Sequence, residues 1–239
     1  MVECVFKHDD IRLLEENYRL TFENNDCELT TEIISLLDKN NLILYFERLK
    51  DLTNTNSDKV VASLFVKRYS FSVLIALYSM SKLNSRLNFS INNISIVTSQ
   101  NCDANWIPSF KFKNIEFANL EGSKREFLRE EVLNDIFKEN VDVVFTHINK
   151  SVGLSKSVMW ENLYVYIQWM YKNLIKTNDV SDEVLDDWNY ITKVAPGTLF
   201  GKYPENPLSK FLLSENRKTC CLAYLSNGKT KYCKKCPKS

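Results

Sequence analysis

The amino-acid sequence predicts an α+β protein with a mainly helical body, a small antiparallel sheet and an irregular C-terminal segment. Apolar residues recur at helical spacing through the first third of the chain and again beyond its middle. Between these stretches the period changes to two, which is typical of strands. The end of the chain follows neither period and holds four of the seven cysteines. We therefore divide the chain into a body, residues 1–210, and a C-terminal segment, residues 211–239.

Length and composition allow one sizeable core. The chain has 239 residues, of which 44% are hydrophobic and 12% aromatic. Its most apolar run, Tyr69 to Ser81, is shorter than the ~20 residues of a membrane-spanning helix, so no span is predicted. Acidic residues interrupt Met1 to Leu20, which therefore lacks the apolar core of a signal peptide. We expect a cytoplasmic protein with reduced thiols.

The first third is predicted to be helical. Asp9 or Asp10 caps a first helix, and a second helical pattern covers residues 30–37. Asn41 caps a third helix, and the dense apolar residues from 60 to 83 predict a buried helical pair or one long helix. The apolar faces of the first and third helices hold Ile11, Leu14, Tyr18 and Phe22, and Leu42, Tyr45, Phe46 and Leu49.

The middle of the chain is predicted to form the sheet. Apolar and polar residues alternate from 86 to 92 and again at 94–96. The intervening Asn92-Asn93 tolerates the positive φ of a tight turn, so the two runs are predicted to form a hairpin. A further strand is expected around Phe110 and Phe112, with Ile115 and Phe117 beyond it.

Helical patterning then resumes. Ser123 to Glu126 is a capping box that opens a helix, and its apolar stripe continues to residue 148. Gly153 ends the run and Ser155 caps the next helix, which extends to about residue 175. Its aromatic residues are more typical of a core than of a ligand site: Trp160, Tyr164, Trp169 and Tyr171.

Four cysteines near the C-terminus form the candidate metal-binding set. Cys233 and Cys236 are spaced as in one half of a zinc site, whereas Cys220 and Cys221 are adjacent. Adjacent side chains diverge in extended backbone, so a doublet suits a cluster with two irons more readily than one small ion. Spacing alone leaves zinc and an iron–sulfur cluster open.

The four cysteines belong to a longer motif, which consists of Arg217-Lys218-Thr219-Cys220-Cys221-Leu222-x-Tyr224, then Gly228, then Cys233-x2-Cys236-Pro237. This motif resembles the C-terminal signature of the FhuF-like ferric siderophore reductases. Eleven residues separate doublet and knuckle here, where the family's Cys-Cys-x10-Cys-x2-Cys pattern has ten. Asn206-Pro207-Leu208 and the stretch from Leu154 to Asn162, which contains Trp160-x-Asn162, are similar to further family motifs. The resemblance covers about the C-terminal half.

The resemblance implies a 2Fe-2S cluster ligated by Cys220, Cys221, Cys233 and Cys236. It implies a cytoplasmic reductase that passes one electron to a ferric siderophore, of hydroxamate type, and releases ferrous iron. No phosphate-binding glycine loop or nucleotide fingerprint occurs in the sequence, so the electron is expected from a separate donor such as a ferredoxin or flavodoxin. The alternatives are a zinc-stabilised binding module and an iron–sulfur sensor without reductase activity.

The C-terminal charge is strongly basic although the net charge is only +1. From Arg217 onward there are seven basic and no acidic residues. Nucleic-acid binding is disfavoured, because aromatic residues are few there and no helix is available to enter a groove. The candidate docking residues for an acidic donor or an anionic chelate are Lys229, Lys231, Lys234 and Lys235.

Other candidate ligands are weaker. His8 and His147 are isolated, and the remaining thiols, Cys4, Cys27 and Cys102, have no ligand spacing among themselves. A run of acids is most simply the solvated face of a helix: Asp182, Glu183, Asp186 and Asp187.

Overall fold

The computed structural model describes residues 8–24, 27–115, 117–119, 125–176, 181–226, 232–233 and 235–238, with backbone only at 117–119. The helices are α1 (His8–Tyr18), α2 (Lys39–Thr53), α3 (Asp58–Ser81), α4 (Arg125–Ile136), α5 (Asp142–Val152), α6 (Lys156–Ile175) and α7 (Asp182–Asn189). The strands are β1 (Thr31–Glu32), β2 (Ser85–Leu87), β3 (Ile94–Val97), β4 (Ser109–Phe112) and β5 (Phe117–Asn119). The α+β prediction is confirmed.

Helix α3 is the centre of the core. It forms one continuous helix of 24 residues, and it packs most extensively against α6. By length and composition α3 could cross a membrane, but 83% of its apolar window is buried inside the protein. Its only charged residues after the first turn are Lys67 and Arg68, both half-buried. Burying a cation without a partner is unfavourable, so we expect Lys67 and Arg68 each to have a polar or charged partner nearby.

The strands form two separate antiparallel sheets. β3 lies between β1 and β4, with Ile96 opposite both Thr31 and Phe110, while β2 pairs with β5. The predicted hairpin across Asn92-Asn93 is therefore wrong. Residues Ile91–Asn93 form a 3-10 turn, and the Asn93 side chain bonds the backbone carbonyls of Asn88 and Asn114 instead of closing a two-residue hairpin.

Three details of the predicted helices also differ. Phe22 lies beyond α1 and is 47% exposed, because Arg19 takes a left-handed conformation and ends the helix. The pattern at residues 30–37 is β1 followed by a 3-10 turn, Ile33–Leu37. Asp38, not Asn41, caps α2 by accepting the backbone N–H groups of residues 40 and 41.

The C-terminal half follows the sequence prediction more closely. Gly153 ends α5 at φ +72°, and the Ser155 side chain caps α6 by accepting the Ser157 N–H. The capping serine predicted at residue 123 lies outside the described residues. Trp160, Tyr164 and Tyr171 are core residues as expected, whereas Trp169 is 42% exposed.

The acidic run is not a solvated face at Asp187. This carboxylate is fully buried, and it accepts two hydrogen bonds from Arg125, of 3.0 and 2.9 Å, and one from Arg129. Asp186 pairs with Arg129 on the same side. The carboxylates thus fasten α7 to α4 rather than present a metal site.

Candidate metal centre

The four C-terminal cysteines lie together beside α3 and α6. The Cys220 thiol hydrogen-bonds the Cys236 thiol, and Cys221 and Cys236 both lie close enough to Cys233 to influence its ionisation. Cys221 and Cys236 are buried, Cys220 is half-buried and Cys233 is exposed. Folding therefore brings the doublet against the knuckle.

Local backbone geometry produces this arrangement. Leu222 takes a left-handed conformation, φ +58°, immediately after the doublet, so the chain turns sharply there. The Cys236 N–H donates to the Cys233 carbonyl at 2.9 Å, which closes the knuckle into a tight turn. The two arms are joined by a backbone bond of 3.0 Å from the Arg217 N–H to the Lys235 carbonyl.

Glu161 on α6 holds the arm that leads into the doublet. Its carboxylate is 2% exposed, and it accepts the Lys218 N–H at 2.6 Å and the Thr219 N–H at 2.8 Å. The Thr219 hydroxyl donates to the same carboxylate, and the Arg217 guanidinium lies 3.5 Å from it. A buried carboxylate with several donors fixes the backbone that enters the cysteine doublet.

A second set of hydrogen bonds holds the doublet itself. The Asn162 amide donates to the Ser63 hydroxyl at 2.9 Å, and that hydroxyl donates to the Cys221 carbonyl at 2.7 Å. The Arg217 guanidinium donates to the Asn162 side-chain oxygen at 2.5 Å. Helix α3 thus contacts the doublet through Ser63, and α6 supports it indirectly, because Asn162 bonds Ser63 and Arg217.

The electrostatic surroundings of Cys221 favour a thiolate. Burial opposes ionisation of this thiol, but the Lys67 ammonium hydrogen-bonds it, the Ala223 N–H donates to it and Arg217 is close, so its pKa is lowered below the usual thiol value. For Cys220 and Cys233, burial and the neighbouring thiols raise the pKa. Lys67 and Arg217 thus favour the thiolate form of Cys221, whereas a metal ion bound to Cys220 and Cys233 would have to displace their protons.

The four thiols have the ligand type and number that either open metal group requires. Among the described residues, no three His, Cys, Asp or Glu side chains are arranged to hold one metal ion. Cys220 and Cys233 are each influenced by both Cys221 and Cys236, so the contacts join the whole set. Four thiolates match the ligand demand of a 2Fe-2S cluster and also that of one zinc ion.

The remaining candidates stay outside this centre. Cys27 and Cys102 are half-buried and hydrogen-bond each other through their thiols, which the sequence spacing did not indicate. His147 lines a small apolar cavity of about 10 Å³ near Phe65, and its Nε2 is buried without a hydrogen bond among the described residues. His8 lies exposed at the start of α1. Cys4 lies outside the described residues.

Of the four docking lysines, only Lys235 lies within the described residues, and it is exposed. Lys229, Lys231 and Lys234 lie outside them. Sequence reasoning missed Glu161, Ser63 and Lys67. Two of these carried a signal, since Glu161 and Lys67 are charged residues within otherwise apolar helical stretches.

The fold and the site define a helical α+β protein with a cysteine-rich C-terminal segment docked on its central helices. No family model matches the chain, and no curated protein matches it. Among solved structures, the chain is similar to aerobactin synthetase IucC of Klebsiella pneumoniae, with a TM-score of 0.50 and 10% identity. The match covers 75% of this chain and 35% of the synthetase, so the chain spans about a third of that protein. At this identity the likeness concerns the fold alone.

Proposed function

We propose that this chain is a ferric siderophore reductase of the cytosol that holds a 2Fe-2S cluster through Cys220, Cys221, Cys233 and Cys236. The observation that carries the proposal is the meeting of the doublet and the knuckle, where Cys220 and Cys233 are each influenced by both Cys221 and Cys236. When bound, such a cluster supplies one electron at a time. The resemblance of the cysteine segment to the FhuF-like reductases is the second support, and it stays a prediction.

The chain's own residues would hold the cluster and tune its surroundings. Lys67 and Arg217 place positive charge beside Cys221 and offset the negative charge of thiolate ligands. Glu161 and Asn162 fix the backbone before the doublet. Burial of Cys221 and Cys236 limits water on the inner side, while the exposed Cys233 leaves the outer side open to a partner.

The proposed reaction needs no acid, base or nucleophile from the protein. Siderophores bind ferric iron through hard anionic oxygens, and the ferrous ion is held far more weakly by the same oxygens. One-electron reduction therefore releases the substrate iron without breaking the ligand. The electron would come from a separate donor, a ferredoxin or flavodoxin, that approaches the exposed side near Cys233 and Lys235.

The structural neighbour adds a limited lead. Its name is that of an enzyme that makes aerobactin, a siderophore-related activity. The role in iron acquisition proposed for this chain is compatible with that link but depends on the cysteine centre.

Metal analysis of anaerobically purified protein tests the cofactor. We expect about two irons and two sulfides per chain, a red-brown colour, and a paramagnetic signal after dithionite reduction. Stoichiometric zinc without sulfide would exclude the cluster and favour the zinc-stabilised binding module. A reducible cluster that transfers no electron to any ferric siderophore, with a ferrous chelator as the trap, would instead favour a sensor.

Single replacements test the ligand set. Serine at any of the four positions should lower cluster occupancy or shift its potential, because an alkoxide is a poorer ligand for iron than a thiolate. Cys27→Ser and Cys102→Ser are the matched controls, since they remove thiols of similar burial elsewhere. A visible band lost in the Cys102→Ser protein but kept in Cys221→Ser would contradict the assignment.

A further inference from the structure

Positive charge gathers on one face of the protein next to Cys221. Lys67 and Arg68 come from α3, Arg19 follows α1, and Arg217 comes from the C-terminal segment. All four are half-buried. Three of them, Arg19, Arg68 and Arg217, influence the same side chain, Tyr166 of α6. Elements far apart in sequence thus bring four cations to one place, which we call the Tyr166 face.

Arg19 is the least compensated of these cations. Its Nη1 atom is buried and makes no hydrogen bond among the described residues, and no described carboxylate lies within ion-pair distance of it. Its guanidinium lies 4.2 Å from the centre of the Phe71 ring. Burial and the nearby Arg68 hold the pKa of Arg19 down at about 10, so the charge is present at neutral pH but unfavourable. An anion beside Arg19 would offset this cost.

The other cations have partners, but Arg68 keeps its charge. Arg68 donates to the Trp106 and Asn105 carbonyls, each at 2.8 Å, and these neutral acceptors fix its position without cancelling its charge. Asp103 is the acidic group that influences it. Arg217 has the buried Glu161 as its counter-charge. Lys67 and Arg217 face Cys221 and Glu161, so Arg19 and Arg68 are the cations left for a ligand, with Asp103 as the acidic group near them. This part of the face keeps a net positive charge.

Aromatic side chains complete the Tyr166 face. Phe71 lies 5.2 Å from Tyr166 and 6.4 Å from Trp169, measured between ring centres. Trp169 is 42% exposed, although it belongs to a helix whose other large apolar residues are mostly buried. Exposed aromatic surface beside preorganised guanidinium groups suits an organic anion rather than a simple inorganic ion, because the rings contact the apolar part of the ligand.

We propose that the Tyr166 face binds the ferric chelate, and that it selects chelates with a net negative charge. The identity of the ligand rests on the proposed reductase function. Tyr166 faces Cys221 as well as the arginines, so a chelate bound here lies one side chain away from the cysteine centre. Arg19 and Arg68 would contact its anionic oxygens.

The charge requirement narrows the substrate class. Three hydroxamates, each with one negative charge, neutralise ferric iron and give a chelate with no net charge. A chelate in which carboxylates accompany the hydroxamates retains negative charge. The resemblance implies hydroxamate ligands and so leaves the anionic catecholate chelates aside. Within that type, the charge of the face selects a mixed carboxylate–hydroxamate siderophore.

Binding of gallium(III) chelates tests the site separately from electron transfer. Gallium(III) has the charge of ferric iron and is not reduced under these conditions. We expect the cluster-loaded protein to bind the gallium complex of a citrate-based dihydroxamate at least tenfold more tightly than the neutral gallium complex of a trihydroxamate. The preference should decrease with ionic strength, because exposed charges are screened. Equal affinities for the two complexes, or no binding of either, would overturn the proposal.

Substitution of Arg19 locates the site. Arg19→Asn removes the charge but suits the left-handed backbone at this position, φ +66°. It should weaken binding of the anionic complex about tenfold and leave the neutral complex unchanged. Arg86→Gln removes one charge from an arginine of β2 that is paired with Glu131 and Asp135, and should change neither affinity.

Two further measurements separate the possible failures. Arg19→Lys keeps the charge but not the planar guanidinium, so its affinity for the anionic complex should lie between those of the wild type and Arg19→Asn. A melting curve verifies that each variant is folded. If Arg19→Asn is folded and binds the anionic complex as tightly as the wild type, the Tyr166 face is not the site. If the gallium complex binds as expected while the ferric complex is never reduced, the reductase function fails and the binding site stands.

Discussion

Replacing Glu161 with Gln should release the segment that leads into the cysteine doublet. The carboxylate is 2% exposed and accepts the N–H groups of Lys218 and Thr219 at 2.6 and 2.8 Å. A hydrogen bond to a charged group contributes about 1.5–3 kcal/mol, so two of them contribute about 3–6 kcal/mol. Lys218 is exposed, so water replaces part of the lost hydrogen-bond energy. The side-chain oxygen of Gln also still accepts one of the two N–H groups. We expect a net loss of about 2–3 kcal/mol in docking of the segment.

The loss should be local, because α6 keeps its apolar contacts with α3. A change of 2–3 kcal/mol corresponds to about 30- to 150-fold in the docking equilibrium. Hydrogen exchange of the Lys218 and Thr219 amides in cluster-free protein should accelerate by that factor. Iron and sulfide occupancy should fall under conditions in which the wild type is fully loaded.

Glu139→Gln is the matched control, because that carboxylate is exposed and pairs only with Lys138 among the described residues. It should change neither amide exchange nor occupancy. The reasoning is refuted if Glu161→Gln exchanges these amides and retains iron like the wild type, since the carboxylate would then not hold the segment. Urea unfolding followed by circular dichroism verifies that the body of the variant remains folded.

Three further predictions concern the body and the surface. Asp187→Ala should lower the free energy of unfolding by about 3–5 kcal/mol, because it leaves the half-buried Arg125 without its bidentate partner. Urea titrations measure this loss, and an unchanged midpoint would contradict the prediction. Gly197→Ala should destabilise the protein by about 1–3 kcal/mol, since the added Cβ would lie 2.4 Å from the Tyr203 carbonyl oxygen, and calorimetry measures the shift. Lys235→Glu should slow reduction of the cluster by an acidic donor and weaken the salt dependence of that rate, while the cluster spectrum stays the same. If stopped-flow rates of the variant and the wild type are equal across a salt series, Lys235 has no docking role.

Local patterns were sufficient for most of the helices. The apolar density from Val60 to Leu83 predicted a buried helical pair or one long helix, and the single helix α3 occupies nearly that range. Gly153 and Ser155 predicted the break before α6 because a glycine end and a serine cap act through their immediate backbone neighbours. Such signals are local, and the sequence contains them completely.

Strand pairing could not be predicted in the same way. The alternation around Leu87 and Ile94 indicated extended chain, but the two strands belong to different sheets. Partner choice depends on which apolar faces the helices leave to be covered, and that is a property of the packed molecule. The Asn92-Asn93 dipeptide allowed a tight turn without requiring one.

The sequence by itself supplied the candidate cysteine set, because the spacing of the doublet and the knuckle predicts thiolate ligands. It also determined the basic character of the C-terminal segment. Only the tertiary structure decided that the doublet meets the knuckle and that Glu161, Ser63 and Lys67 support it. No sequence pattern indicated that Arg19, Arg68 and Arg217 lie around Tyr166. These residues are far apart along the chain, and their contacts exist only because α3 and α6 pack against each other and the C-terminal segment docks on both.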